Sequence, residues 1–257
     1  SRGLGDVYKR QAVSLTAGLL SELTKRKIKV IFCDEKRNPS SELVSYYGSH
    51  DTSAKVRQQV GWTAEIKKMM WTEIVSEKIR NQQRFLEDLG KKENVMLTEY
   101  LKEIQPGDTT NREGHAAKVY FNAVFGMDFS RSLDIPINAA LNYGYGIILS
   151  TFNREIVSNG YITQLGLFHD NMFNQFNLGS DLMEPFRILV DRKVYEMKPE
   201  KLEKEEKLQL VNILNQEVTI DGKRNYVVNA IKIYCKSVFD AINDNDVSLI
   251  RFYSNEL

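Results

Sequence analysis

The sequence predicts a mainly α fold, in which a large helical domain over residues 49–257 follows a smaller unit of one helix and one strand and carries a β-hairpin near residues 217–228. Three observations predict it. After residue 52, apolar side chains recur mostly at three- to five-residue spacing, the period of one helix face. Only 5 prolines occur in 257 residues, so long segments run without a helix breaker. The pair Asp221-Gly222 lies between EVTI and KRNYVV, and a two-residue turn with positive φ favours that pair. A composition of 42% hydrophobic and 27% charged residues is that of a folded chain with a sizeable core.

The first eleven residues, SRGLGDVYKRQ, show neither helical nor strand periodicity and read as a leader unrelated to the rest. From Ser14 the pattern SLTAGLLSELTKRKI puts Leu15, Leu19 and Leu23 on one helix face. It also crowds Lys25, Arg26 and Lys27 into the last turn, where cations meet the negative end of the helix dipole. IKVIFCDE reads as a short strand stopped at Asn38-Pro39. The polar stretch SSELVSYYGSHD marks a boundary, which leaves residues 12–48 as the first unit and its linker. Residues 52–90 read as two helices broken near Gly61, with Val56, Val60, Ile66, Met70, Ile74, Ile79 and Leu86 as the apolar stripe. A helix over 95–104 ends at Pro106-Gly107-Asp108, and the next begins at Arg112 behind the capping candidates Thr109, Thr110 and Asn111. Glu113 therefore lies in a first turn, where the dipole alone favours a carboxylate. Further helices are expected over 136–158, 181–196, 201–215 and 227–242.

The charge balance, 35 Lys plus Arg against 34 Asp plus Glu, provides no global field toward nucleic acid or an anionic membrane, so a charged partner must meet a local patch. Residues 55–92 hold such an excess, nine basic to five acidic, which reads equally as a solvated helix face. Two cysteines, Cys33 and Cys235, build neither a disulfide framework nor a four-cysteine zinc site, and this suits a reducing cytoplasm. The longest apolar runs are too short to span a bilayer, so no membrane partner is expected.

Of three histidines, His50 falls in a polar loop, and His115 stands two residues from Glu113, which on a helix points the two side chains apart. His169 ends the apolar stretch LGLF and is followed, after twelve residues, by Asp181 and Glu184, which are three apart and share a helical face interrupted by Pro185. One histidine with several carboxylates suits an oxygen-rich Mg²⁺ or Mn²⁺ site. From residue types alone, a buried histidine satisfied in the core and an ordinary acidic helix face remain open readings.

Taken together and in order, NREGHAAKVYFNAVFG, DFSR, PINAALNYGYGIILS, REIVSNG, LGLFH, FNQFN and DLMEPFR resemble the CRISPR-associated adaptation integrase family, in particular its type II branch. IFCDEKRNP and YYGSHD add to the likeness, which runs from about Ser14 nearly to the end. The resemblance implies a metal-dependent DNA endonuclease and integrase that inserts spacer DNA into a CRISPR array by phosphodiester transesterification. The family's metal ligands fall on Glu113, His169 and Glu184, with Mg²⁺ or Mn²⁺ as the metal. Asp181 matches a further acidic position and is expected to act outside the ligand set. Arg112, Lys118, Arg131, Arg154 and Arg187 are the DNA-binding candidates in motif context, and Arg187 is equally placed to orient a carboxylate. Asn174 and Gln175 are candidates for contacting DNA or lining the site, whereas Phe173 and Phe176 read as core. The glycines of NYGYG read as close helix packing rather than a phosphate loop. Implied partners are DNA, a second copy of the chain and a small adaptation subunit of ferredoxin-like fold.

In this family a β-rich amino-terminal domain precedes the helical one, and here only its last helix and strand are recognisable. The sequence therefore reads as truncated at its start, which puts dimerisation in doubt and leaves the strand over 28–34 with an unpaired edge. Two other readings compete with an integrase, a non-catalytic DNA-binding scaffold and a small-molecule metallohydrolase with a narrow apolar pocket.

Overall fold

A computed structural model of the chain describes residues 14–34, 39–46 and 51–254. The leader SRGLGDVYKRQ, Asn38 and His50 lie outside them. The first helix, α1 (Ala17–Lys25), is capped by Thr16, whose hydroxyl accepts the Leu19 N–H at 3.1 Å. One edge of the expected strand is paired: β1 (Ile31–Cys33) runs antiparallel to β2 (Pro39–Glu42), with Ile31 opposite Glu42, and among the described residues its other edge has no strand beside it. The segment containing β2 was too polar to read as a strand, yet its main chain completes the hairpin. The hairpin docks on the helical body through Lys29, whose ammonium meets the Glu42 carboxylate and the Ser150 carbonyl.

The body is helical, and its axis is α3 (Ala64–Asp88), 25 residues long and buried on most sides through its middle. Thr63 caps it by accepting the Ile66 N–H at 3.3 Å. Gly61 separates α3 from α2 (Thr52–Val60) at the expected break. The stripe differs at one position, since Val60 is 69% exposed and Gln59 is buried in its place. Gln59 donates from Nε2 to the carbonyls of Ile162 and Leu165 and accepts the Ile162 N–H, each at 2.9 Å. A side chain that satisfies three main-chain groups of a half-buried loop outcompetes an apolar one for that position.

Against α3 pack α4 (Asn94–Glu103) and α5 (Arg112–Phe125); α6 (Pro136–Ser158) begins with proline at N1. The helix expected over 181–196 is broken into α7 (Asn177–Leu182), a 3-10 turn at Glu184–Phe186 and α8 (Arg187–Met197). Pro185 accounts for this, because it has no N–H to give and its ring crowds the preceding turn. The segment expected over 201–215 shortens to α9 (Lys204–Val211), started by a capping box between Glu203 and Glu206, and ends in a 3-10 turn. The predicted hairpin forms from β3 (Glu217–Ile220) and β4 (Lys223–Tyr226), with Asp221 and Gly222 both at positive φ. After α10 (Val227–Asp244), a short strand β5 (Tyr253–Ser254) adds to β3 and makes a three-stranded sheet. Among the described residues no helix is long and apolar enough to cross a membrane.

Of the glycines of NYGYG, Gly144 serves packing, as expected. A Cβ built on Gly144 of α6 would sit 2.4 Å from Val190 Cγ1 of α8, so only glycine lets the two helices approach this closely. Gly144→Val is expected to cost about 1–3 kcal/mol through overpacking, read as a thermal midpoint several degrees lower. An unchanged midpoint would mean that Val190 and its helix move aside without penalty.

Candidate active site

The start of α5 is fixed by a side chain that the sequence pattern did not single out. Asp108, rather than Thr109, Thr110 or Asn111, accepts the N–H groups of Arg112 (2.8 Å) and Glu113 (3.0 Å). Asn111 lies in the left-handed region and makes no side-chain cap. Gly107, at φ +72°, turns the chain so that its N–H reaches Thr72 Oγ1 on α3 at 2.7 Å. The first turn of α5 is thus tied to α3, and Glu113 faces Lys78.

Lys78 is buried on α3, and its ammonium makes ion pairs with Glu113 and, at 2.5 Å, with Glu184 Oε2. Glu184 is 5% exposed and also accepts the Arg187 Nε–H at 2.8 Å through Oε1. Its Oε2 has no aligned hydrogen-bond donor among the described residues, although the ammonium is close. Burial, the largest single influence, would raise the Glu184 carboxyl, but Arg187 and Lys78 together override it and hold the group at about 2. Burial likewise works against the Lys78 charge, and the two carboxylates more than restore it. These side chains open on a cavity of about 250 Å³ lined also by Gln82, Phe121, Arg131, Tyr145 and Asp191. Arg187 lies over the Tyr145 ring at 4.6 Å. The Tyr145 and Tyr120 hydroxyls both donate to Asp191, whose carboxyl burial raises to about 6 against the pull of those bonds.

His169 sits on the loop between α6 and α7, and Asp181 of α7 holds it in place. The fully buried Asp181 carboxylate accepts the N–H groups of Leu167 (2.6 Å), Phe168 (3.1 Å) and His169 (3.1 Å), and His169 Nδ1 lies 2.5 Å from Asp181 Oδ1. The loop closes this tightly because Gly166 has no Cβ, which would stand 2.6 Å from Asp181 Oδ2. A carboxylate only accepts, so Nδ1 carries the proton and Nε2 is left for a ligand. The bond to Asp181 raises the imidazole pKa despite partial burial. Trp71 packs edge-on against His169 and stacks flat on Phe168 at 4.5 Å.

Glu113 and Glu184 therefore meet at one ammonium, and His169 is held separately on its loop. Among the described residues no group of three or more His, Cys, Asp or Glu stands close enough to hold a metal ion with the side chains as they are. The donor chemistry nevertheless fits a hard divalent cation: two carboxylates, one with a buried oxygen lacking an aligned donor, and an imidazole whose second nitrogen is anchored by a carboxylate. Asp181 spends both oxygens on the loop and His169, and this orients the imidazole.

The basic candidates separate by their partners. Arg131 and Arg187 line the cavity. Arg131 bonds the amide oxygens of Asn138 and Asn142, both at 2.5 Å, and no carboxylate among the described residues pairs with it, so its charge stays available for phosphate. Arg112 pairs with Glu103 and Arg154 with Glu155, while Lys118 is exposed one turn beyond Glu113 on α5. In the basic stretch 55–92, Arg80 and Arg84 pair with Glu77 and Lys78 turns inward. Phe173, expected in the core, is 86% exposed, because Asn171 Oδ1 accepts its N–H in a tight turn that directs the ring outward. Phe176 is half-buried, and Asn174 Oδ1 serves that same loop by accepting its N–H. His115 is exposed beside Tyr100. Lys78, Gln82, Tyr145 and Asp191 escaped the sequence reading. A signal existed for the first two, since Lys78 and Gln82 continue the Met70, Ile74 stripe at four-residue spacing and are polar at core positions.

Comparison with known proteins places these features in a family. A family model described as CRISPR associated protein Cas1 matches residues 2–218. The CRISPR-associated endonuclease Cas1 of Neisseria meningitidis serogroup C (strain 8013) is 30% identical over 254 residues, covering 95% of this chain and 83% of that protein. Among solved structures, one described as a casposase bound to integration product superposes with a TM-score of 0.78 at 19% identity, over 91% of this chain and 77% of that one. A Cas6-RT-Cas1–Cas2 complex gives a TM-score of 0.69 at 20% identity, over 91% of this chain and 30% of that one.

Proposed function

This chain belongs to the CRISPR-associated protein Cas1 family, and on that premise we propose that it is a metal-dependent DNA endonuclease and integrase that joins short DNA to a CRISPR array. The observation that carries this reading is the pair of carboxylates, Glu113 and Glu184, brought to one point beside a cavity whose walls hold Arg131 and Arg187. In the reaction a 3′ oxygen of the incoming strand attacks a phosphate of the repeat, a new P–O bond forms, and the neighbouring strand leaves as a 3′ hydroxyl. Glu113, Glu184 and His169 Nε2 would hold Mg²⁺ or Mn²⁺. Such a cation, when bound, lowers the pKa of the attacking hydroxyl and neutralises charge on the phosphate. Arg187, aligned by Glu184 and by the Tyr145 ring, presents its guanidinium to the same space. Arg131 adds a cation whose partners are neutral, and so draws phosphate without first breaking an ion pair. Asp181 keeps the His169 ring in one tautomer and orientation.

DNA, a second copy of the chain and a small adaptation subunit are the proposed partners, in keeping with a neighbour described as a Cas1–Cas2 complex and another bound to an integration product. The test supplies Mn²⁺, a short duplex with free 3′ hydroxyls, a repeat-carrying plasmid and the small subunit. Joined and nicked products that vanish with a chelator are expected. A folded protein that binds duplex DNA yet neither cuts nor joins it would favour the scaffold reading. Competition by small phosphoesters in place of duplex would favour the metallohydrolase.

A further inference from the structure

The Lys78 ammonium has no part in the chemistry described above, yet it lies between the two carboxylates proposed to hold metal. As it stands the cluster is electrically balanced, with Glu113 and Glu184 against Lys78 and Arg187. A divalent cation taken by the same carboxylates would meet an ammonium already on them, and two cations pressed together in a buried place repel strongly. One must leave. The neighbourhood holds a place for the ammonium to go: Gln82, one helical turn further along α3, lines the same cavity, and its Oε1 is buried with no hydrogen-bond partner among the described residues. Gln82 is 3% exposed, so that orphaned oxygen faces no bulk water, and leaving it unmade is costly unless a donor arrives. The Asp191 carboxyl lines the same cavity.

We propose that Lys78 is a built-in counter-ion that occupies the Glu113–Glu184 pair until a divalent cation displaces its ammonium onto Gln82 Oε1, so that metal loading is an exchange of cations. Lys78 thereby stabilises the metal-free protein and weakens its hold on metal. This rests on the metal-dependent reading of the site. Removing the ammonium leaves two carboxylates facing each other, which raises their demand for a cation. Removing Gln82 Oε1 leaves the displaced ammonium without its acceptor.

Calorimetric titration with MnCl₂ tests this on the whole chain, independently of any DNA reaction. Lys78→Met is expected to bind Mn²⁺ about tenfold or more tightly than wild type, because the competing charge is gone. Gln82→Leu, with Lys78 intact, is expected to bind it several-fold more weakly. Should Lys78→Met be unfolded in chelator, Mn²⁺ is expected to restore its fold, since a ligand bound only by the native state stabilises it. Failure of Mn²⁺ to do so overturns the proposal. Mn²⁺ binding by wild type with no gain in Lys78→Met would overturn the exchange and spare the metal site. No Mn²⁺ binding by any form would remove the metal reading, and the exchange with it.

Discussion

Glu184→Ala should lose DNA cleavage and joining by about 10³-fold or more and should also destabilise the fold by about 3–5 kcal/mol. The two losses have one origin. Glu184 is buried, and it is the carboxylate that both Arg187 and Lys78 contact. Removing it strips the proposed metal site of a ligand, leaves Lys78 with Glu113 as its one ion-pair partner among the described residues, and takes away the carboxylate that Arg187 pairs with. The stability that Glu184 contributes is also pH-dependent. Its carboxyl is held at about 2, below the ordinary 4.5, so the contribution is complete above pH 4.5 and is lost as the pH falls toward 2. Thermal melts of wild type and variant across that range should converge on the acid side. Cleavage retained by a folded Glu184→Ala protein would remove this residue from the chemistry, and melts that differ equally at every pH would remove it from the ion-pair network.

Asp181→Ala and His169→Ala should separate folding from chemistry. Asp181 accepts three main-chain N–H groups and the His169 ring, all at the Leu167–His169 end of the loop. Its loss orphans three donors, at about 1–3 kcal/mol each before the loop relaxes, so a cost of about 3 kcal/mol or more is expected. Activity should fall by about 10–100-fold, as it does when the group that orients a metal-binding histidine is removed. His169→Ala should be the reverse case. Its side chain is 41% exposed, so denaturation should shift by no more than about 1 kcal/mol while activity falls at least as far as in Asp181→Ala. Equal stability losses in the two variants would mean that the imidazole, not the main chain, is what Asp181 chiefly holds.

How far the sequence disclosed this arrangement depended on whether a residue's role is local. The hairpin at Asp221-Gly222, the break at Gly61 and the close packing at Gly144 were legible because each follows from backbone geometry or side-chain size at one position. The site was legible in its types, through the ordered motifs that carry Glu113, His169 and Glu184. Its partners were not. Asp108 displaced three better-looking caps because its carboxylate reaches two N–H groups at once, which depends on the turn that Gly107 makes. Phe173 looked like core and is exposed, since among the described residues nothing covers its ring in that turn.

The sequence by itself determined the helical class and the family, and it supplied Glu113, Glu184 and His169 as candidates, because periodicity, breakers and ordered motifs are properties of neighbours along the chain. Only the tertiary structure decided that Lys78, 35 residues before Glu113 and far from Glu184, stands between them. It alone paired β1 with β2 and turned Asp181 toward the His169 loop rather than toward solvent. A buried charge settles where burial cost, counter-ions and hydrogen bonds balance, and that balance is set by elements brought together in space.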